Sequence, residues 1–223
     1  PKASAKLAAT LRSTQVTSLT ISTNPIHDDA MVELLEGLKD VGLVSLAISN
    51  TGVGVSTASK LAELLSGATK FSATVEELNI SMNPIGVDGA KALGDVISGS
   101  SLKCLIIGPK GTRLPVNDGD VTELNFEGQE FSPVEVTLVA AATSTFAALN
   151  SLTVNSTGNM KSQKTYTLTA GEDQIQLSEK NLGSADVALI AAWLQRPEVN
   201  AATVEVITLE GNPIGYPSKV SLE

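Results

Sequence analysis

The sequence predicts an α/β repeat architecture: short parallel strands line one side of a curved stack and helices cover the other. Three observations predict it. Related stretches recur, among them LTISTNPIHDDAMVELLEGL from Leu19, LNISMNPIGVDGAKALGDVI from Leu78 and ITLEGNPIG from Ile207. Within a copy, apolar residues first alternate and then fall at helical spacing. Neither apolar face can bury itself alone, so successive units must stack to share one core.

The strands come first in each unit. With the Asn of NPI as an anchor, apolar residues stand five and three positions before it at Leu19/Ile21, Leu78/Ile80 and Ile207/Leu209. The same pair recurs at Leu46/Ile48, Leu105/Ile107, Leu124/Phe126, Leu152/Val154 and Ile175/Leu177, which gives eight short strands. A further apolar residue follows the anchor at Ile26, Val53, Ile85, Phe131, Leu182 and Ile214.

The helices follow. Seven, ten and fourteen positions after the anchor stand Met31, Leu34 and Leu38; then Ala58, Leu61 and Leu65; Ala90, Leu93 and Ile97; Val136, Val139 and Thr143; and Val187, Ile190 and Leu194. Those offsets place each trio on one helix face. Asp28, Asp29, Asp88, Glu135 and Asp186 open these helices, where a negative charge opposes the helix dipole favourably.

Leu78, Ile80, Asn83, Ile85, Gly89, Ala90, Leu93 and Ile97 follow the order L-x-L-x-x-N-x-L and then G-A-x-x-L. In this the chain resembles, over nearly its whole length, a leucine-rich repeat protein of the ribonuclease-inhibitor-like class. The resemblance implies an α/β leucine-rich repeat solenoid, or horseshoe, with a parallel sheet on the concave side and helices on the convex side. It implies one domain over residues 1–223 with about eight repeats, two of them irregular and non-helical. It also implies that the anchor Asn bonds backbone groups of its turn. Asn24, Asn83 and Asn212 hold that place; Thr51, Gln129 and Lys180 replace it, so those turns are expected to be tied less tightly.

Two insertions break the pattern, at about 108–120 (GPKGTRLPVNDGD) and about 155–173. Neither carries a helical stripe. Within the second, KTYTLT alternates like an extra strand or hairpin arm. Together they hold Lys110, Arg113, Lys161 and Lys164, which read either as ordinary charged loops or as a basic ledge on an acidic protein. At the N-terminal end, Leu7 and Leu11 read as a helix covering the first strand. At the other end NPIGYPSKVSLE shows neither helix nor polar cap. A segment of a longer protein is expected, with a folded-over tail or edge-to-edge self-association as alternatives.

Composition narrows the function classes. At 42% hydrophobic and 17% charged the chain is globular, and at 3% aromatic its core is aliphatic. A net charge of −9 argues against nucleic-acid or anionic-membrane binding. No apolar run reaches the roughly 18 residues of a membrane helix. The single Cys104 excludes internal disulfides and favours a reducing, intracellular and cytoplasmic setting. Asn79 and Asn155 each begin a glycosylation sequon, yet both lie on strands.

The residues give little support to catalysis. His27, the only histidine, replaces the Gly of NPIG and reads as a surface turn residue. Cys104 stands about three units away from it, too far for a nucleophilic pair. One Cys and one His do not make a zinc site. GPKGT lacks the spacing and the following helix of a phosphate loop. Glu76/Glu77 and Asp28/Asp29 read as solvated or helix-opening acids, and Trp193 as inter-helix packing. No catalytic residue, metal or cofactor is expected.

Binding is the better expectation. The residues between the core strand positions face outward, notably Glu77, Asn79, Ser81, Ile106, Glu123, Asn125, Glu127, Thr153 and Asn155, with Cys104 among them. Glu77, Glu123 and Glu127 around Ile106 suit a protein partner with a basic surface and an apolar anchor. A non-enzymatic protein–protein interaction scaffold is the first reading, since the resembled repeat class is mainly used so. The alternatives are a GTPase-activating protein for a small GTPase, by analogy with activators built from such repeats, and a structural spacer or edge-to-edge assembler.

Overall fold

A computed structural model describes residues 2–199 and 204–215. The tail at 216–223, expected to fold over or leave the last strand, lies outside the described residues. The backbone divides into two compact units, Pro1–Asn117 and Asp118–Glu223.

The first unit runs α1 (Lys2–Leu11), β1 (Ser18–Thr20), α2 (Asp28–Leu38), β2 (Ser45–Ala47), α3 (Val55–Ser66), α4 (Lys70–Thr74), β3 (Glu77–Asn79), α5 (Gly86–Ile97), β4 (Cys104–Ile107) and β5 (Thr112–Pro115). Strands β1 to β4 pair in parallel and in order, so Leu19, Leu46, Leu78 and Leu105 fall on one line across the sheet. The last three of these are essentially fully buried. The helical trios Met31/Leu34/Leu38, Ala58/Leu61/Leu65 and Ala90/Leu93/Ile97 are buried too, as their spacing predicts. Truncating such a site, for example Leu78→Ala, costs about 2–5 kcal/mol. Helix α1 forms as expected but turns Ala8 and Leu11 inward, leaving Leu7 39% exposed. It lies so close to α2 that a methyl group at Gly37 would collide with Ala8. Helix α4 carries no stripe in the sequence. Its Thr69/Ser72 capping box and the buried Phe71 make it.

The second unit runs β6 (Glu123–Asn125), α6 (Pro133–Ala142), β7 (Ser151–Asn155), β8 (Thr165–Thr169), β9 (Gln174–Gln176), α7 (Ser184–Leu194) and β10 (Val206–Thr208), with single 3-10 turns at Thr143–Thr145, Met160–Ser162 and Pro197–Val199. Here β6 pairs in parallel with β7, and β9 in parallel with β10. Helix α6 buries Val136 and Val139, and the 3-10 turn that follows it buries Thr143, so the predicted trio is buried. Helix α7 does not follow its predicted trio. It buries Ala185, Asp186, Leu189, Ile190 and Trp193, and leaves Val187 and Leu194 half-buried. Nearly every residue of SADVALIAAWL is apolar, so spacing alone could not choose the face.

The expected uninterrupted parallel sheet is replaced by sheets of five, three and two strands, two of them mixed. Both insertions cause this. After β4 the chain turns back as β5 and pairs antiparallel with it, Leu105 opposite Leu114. After β7 the arm read in KTYTLT turns back as β8. Each arm takes the edge that a following parallel strand would use. Strand β5 has a period-2 signal too short to stand out: Leu114 and Val116 are buried and Arg113 is exposed.

The turn after each strand repeats more faithfully than its sequence. The residue before the anchor has positive φ at Thr23 (60°), Asn50 (52°), Met82 (56°), Gly128 (70°), Glu179 (55°) and Gly211 (70°). Only two of these are glycine, the type that adopts this conformation without strain.

Candidate functional site

The outward sheet face of the first unit is bland at one end and charged at the other. Strands β1 and β2 present Ser18, Thr20, Ser45 and Ala47. On β3, the Oε2 atom of Glu77 lies 2.7 Å from Nη2 of Arg113 on β5. Strand order and register place Cys104 and Ile106 of β4 between these two residues, so the ion pair crosses β4. Cys104, expected to face outward, is only 8% exposed as a result. Burial pushes its thiol pKa up; Arg113 pulls it down and Glu77 adds to the rise. Ser81 is also a correction. Only 2% exposed, it donates to Asn79 Oδ1 at 2.8 Å, and the β4–β5 turn at Gly111 comes over it.

Hydrogen bonds link Asn125, Glu127, Thr153, Asn155, Thr165 and Thr167 on the outward face of β6, β7 and β8. Glu123, Asn125 and Glu127 are exposed, and Thr153 and Asn155 half-buried beside them. Asn155 Oδ1 accepts from the Gly128 amide at 2.6 Å, and its Nδ2 donates to Thr165 Oγ1 at 3.1 Å. Thr165 Oγ1 donates to Glu127 Oε1 at 3.0 Å. Asn125 Oδ1 accepts from the Glu127 amide at 2.9 Å, and Thr153 faces Thr167 at 2.9 Å between hydroxyl oxygens. Thr165 and Thr167 belong to this face and were not named from the sequence. The alternation in KTYTLT could have found them, since only β8 can bring them beside β7.

The four basic insertion residues divide between the units: Lys110 and Arg113 in the first, Lys161 and Lys164 in the second. Arg113 is spent on Glu77, and Lys164 Nζ donates to the Glu179 carbonyl at 2.6 Å. Lys110 and Lys161 are exposed. His27 is exposed at the start of α2 without a capping bond, and Trp193 is fully buried.

Two of the acids lie in the first turn of their own helices, as expected, and do further work beyond that. Asp28 opens α2 and also accepts from the Gly54 amide at 2.8 Å and from Thr57, so it caps α3 of the next repeat as well. Burial raises its pKa, but the hydrogen bonds from Thr57 and Gly54 outweigh that and hold it below the ordinary value. Asp186, fully buried, accepts from Thr157 N at 2.8 Å, Thr157 Oγ1 at 2.7 Å, Gly183 N at 2.7 Å and Tyr166 Oη at 2.9 Å. Both carboxylate oxygens accept, which is the signature of a structural carboxylate. Among the described residues no three His, Cys, Asp or Glu side chains converge on a possible cation position.

The anchor asparagines tie units together. Asn83 donates to the carbonyls of Ile48 at 2.8 Å and Ile80 at 3.1 Å, and accepts from the amides of Thr51 at 2.9 Å and Gly52 at 3.0 Å. Asn212 does the same with Leu177, Leu209 and Leu182. The Thr51 turn, expected to be looser, is therefore held by Asn83 from the next unit. Gln163 Nε2, donating to Phe131 O at 2.8 Å and Ser156 O at 3.0 Å, plays a similar part within the second insertion.

Residues 71–94 match the family model described as Leucine Rich repeat. That stretch holds most of α4, all of β3 and most of α5, the unit closed by Asn83. The match supports a leucine-rich repeat protein with an α/β fold, a kind of domain commonly used for protein–protein interaction. No curated protein matches the chain. Among the described residues no helix is long and apolar enough to cross a membrane.

Proposed function

We propose that this chain is a non-enzymatic protein-interaction scaffold, a leucine-rich repeat protein of the ribonuclease-inhibitor-like class whose units stack as a solenoid. The observation that carries this reading is the interlocked outward face of β6–β8. Glu123 and Glu127 stand exposed on a surface already ordered by Asn125, Asn155 and Thr165, so a partner would meet little entropic cost of fixing side chains. Its acidity suits a partner with a basic surface. On the first unit, taken by itself, Asn79 and the half-buried Ile106 flank the Glu77–Arg113 pair and form a weaker, near-neutral face. The free, buried Cys104 fits an intracellular, cytoplasmic setting.

The test is affinity capture from a lysate of the source organism with the parent chain and a Glu123→Lys/Glu127→Lys variant. A protein held by the parent and lost by the variant is the expected result. Equal retention by both, or capture of nothing by the parent, overturns the assignment.

A second reading has an observation of its own. Val206 and Ile207 on β10 are each 42% exposed, although Ile207 occupies the position that is buried at Leu46, Leu78, Leu105 and Leu152. An exposed core position on an edge strand invites pairing with another chain. Sedimentation of the parent and an Ile207→Lys variant decides it: assembly requires concentration-dependent association that the variant abolishes.

A further inference from the structure

A pocket of about 520 Å³ opens where α6 and α7 end in the second unit. Its wall includes Ala140, Ala141, Ala147 and Ala192, small residues that leave the space, with Phe146 and Arg196. Arg196 is the unusual member: its side chain is 2% exposed. The guanidinium lies 4.6 Å from the ring centre of Trp193, and Nη2 donates to the Phe146 carbonyl at 2.8 Å. That hydrogen bond uses one of the five N–H groups a guanidinium offers. Nε and Nη1 find no acceptor, and neither does the neighbouring Trp193 Nε1. Buried donors left unpaired are rare and costly.

The counter-charge is loose. Glu198 Oε2 stands 3.8 Å from Nη2, beyond hydrogen-bonding distance, and its side chain is 39% exposed. The other polar groups on the pocket wall are largely committed. Thr143, Ser144 and Thr145 donate their hydroxyls to the carbonyls of Ala140, Ala141 and Ala142 at the end of α6. The site therefore offers one cation, an apolar wall and an acid that can swing aside.

We propose that this pocket binds a small monocarboxylate with a short apolar body, its carboxylate replacing Glu198 as the partner of Arg196. Nη2 keeps one N–H beyond its bond to the Phe146 carbonyl, and that N–H meets the carboxylate in a single charge-assisted contact. A monoanion fits better than a dianion, because two helix C-termini direct partial negative charge toward the pocket and offset part of the arginine's charge. Nε and Nη1 have almost no solvent contact. Entry therefore proceeds through the Nη2 side, with displacement of the Glu198 carboxylate.

Trp193 is the only tryptophan in the chain, so its emission reports directly on the group stacked against it. The experiment titrates the full chain with sodium hexanoate, using sodium chloride, hexanamide and phosphate as controls. The expected result is a saturable change in emission with hexanoate alone. Glu198→Gln should tighten the apparent affinity by about threefold, the scale of one partly exposed ion pair. Ala192→Leu, which fills the pocket and leaves Arg196 in place, should abolish saturation while keeping the parent's urea midpoint. A linear response equal to that of chloride, an equal response to hexanamide, a stronger response to phosphate, or unchanged binding by Ala192→Leu would each overturn the proposal.

Discussion

Arg113 reaches across strand β4 to Glu77, closing an ion pair of 2.7 Å over Cys104. The pair changes the chemistry of the face more than its stability. Its side chains are 62% and 35% exposed, so water screens most of the attraction. A double-mutant cycle with Glu77→Gln and Arg113→Gln is expected to give a coupling of about 0.2–1 kcal/mol, weaker in high salt. In the native parent, Cys104 is expected to react with an alkylating reagent at least ~100-fold more slowly than in urea, because it is both buried and raised in pKa. Fast native labelling would show that the pair does not cover it.

The anchor asparagines are unequal. Asn83 bonds five backbone groups in two successive repeats, whereas Asn24 Nδ2 reaches only the Ile21 and Ser22 carbonyls of its own turn. Asn83→Ala is expected to cost about 2–4 kcal/mol and Asn24→Ala under about 1 kcal/mol, read as shifts in urea midpoint. Equal losses would mean that the ties between units add nothing.

Positive φ at Thr23 is a strained choice for a β-branched residue. Thr23→Gly is expected to stabilise by roughly 0.5–1 kcal/mol, the strain relieved exceeding the chain entropy lost. The reciprocal Gly211→Thr is expected to destabilise by about 1–2 kcal/mol, since a Cβ there would also stand 3.0 Å from Glu179 Cγ. Thermal unfolding of both variants checks the pair.

Glu36 on α2 pairs with Lys39 at the end of its own helix at 2.8 Å and with Lys60 on α3 at 2.6 Å. These hydrogen bonds, Lys39 first, hold its carboxyl at about 2 against an ordinary 4.5. A carboxyl lowered in the folded state stabilises above its unfolded pKa and loses that contribution on acidification. The loss therefore falls between pH 4.5 and about 2. Glu36 is half exposed, so the whole effect is expected to stay under about 1 kcal/mol. Urea midpoints across that range should converge for parent and Glu36→Gln as the pH drops.

The strands and most helix faces were legible because each rests on local periodicity: Leu46, Leu78 and Leu105 alternate, and Ala90, Leu93 and Ile97 fall on one face. What was not legible came from partners distant in sequence or from uniform composition. Nothing local announces that Arg113 lies beside β4 and claims Glu77, so the sequence presents Cys104 as outward-facing and Glu77 as a solvated acid. The α7 face was hidden by its lack of polar contrast. The pocket at Arg196 required two helix ends that only the fold brings together, and its sequence signal, an arginine just past an apolar helix, is ordinary.

The antiparallel arms β5 and β8 also bear on how such a chain can grow. Within β1–β4 every strand repeats the direction of its neighbour, so copying one strand–turn–helix block adds a layer and preserves all the pairings around it. A copy inserted between β4 and β5 would part Leu105 from Leu114 and strand the arm. The arms thus act as punctuation for gene duplication: tandem expansion is tolerated inside a block and penalised at its closing hairpin.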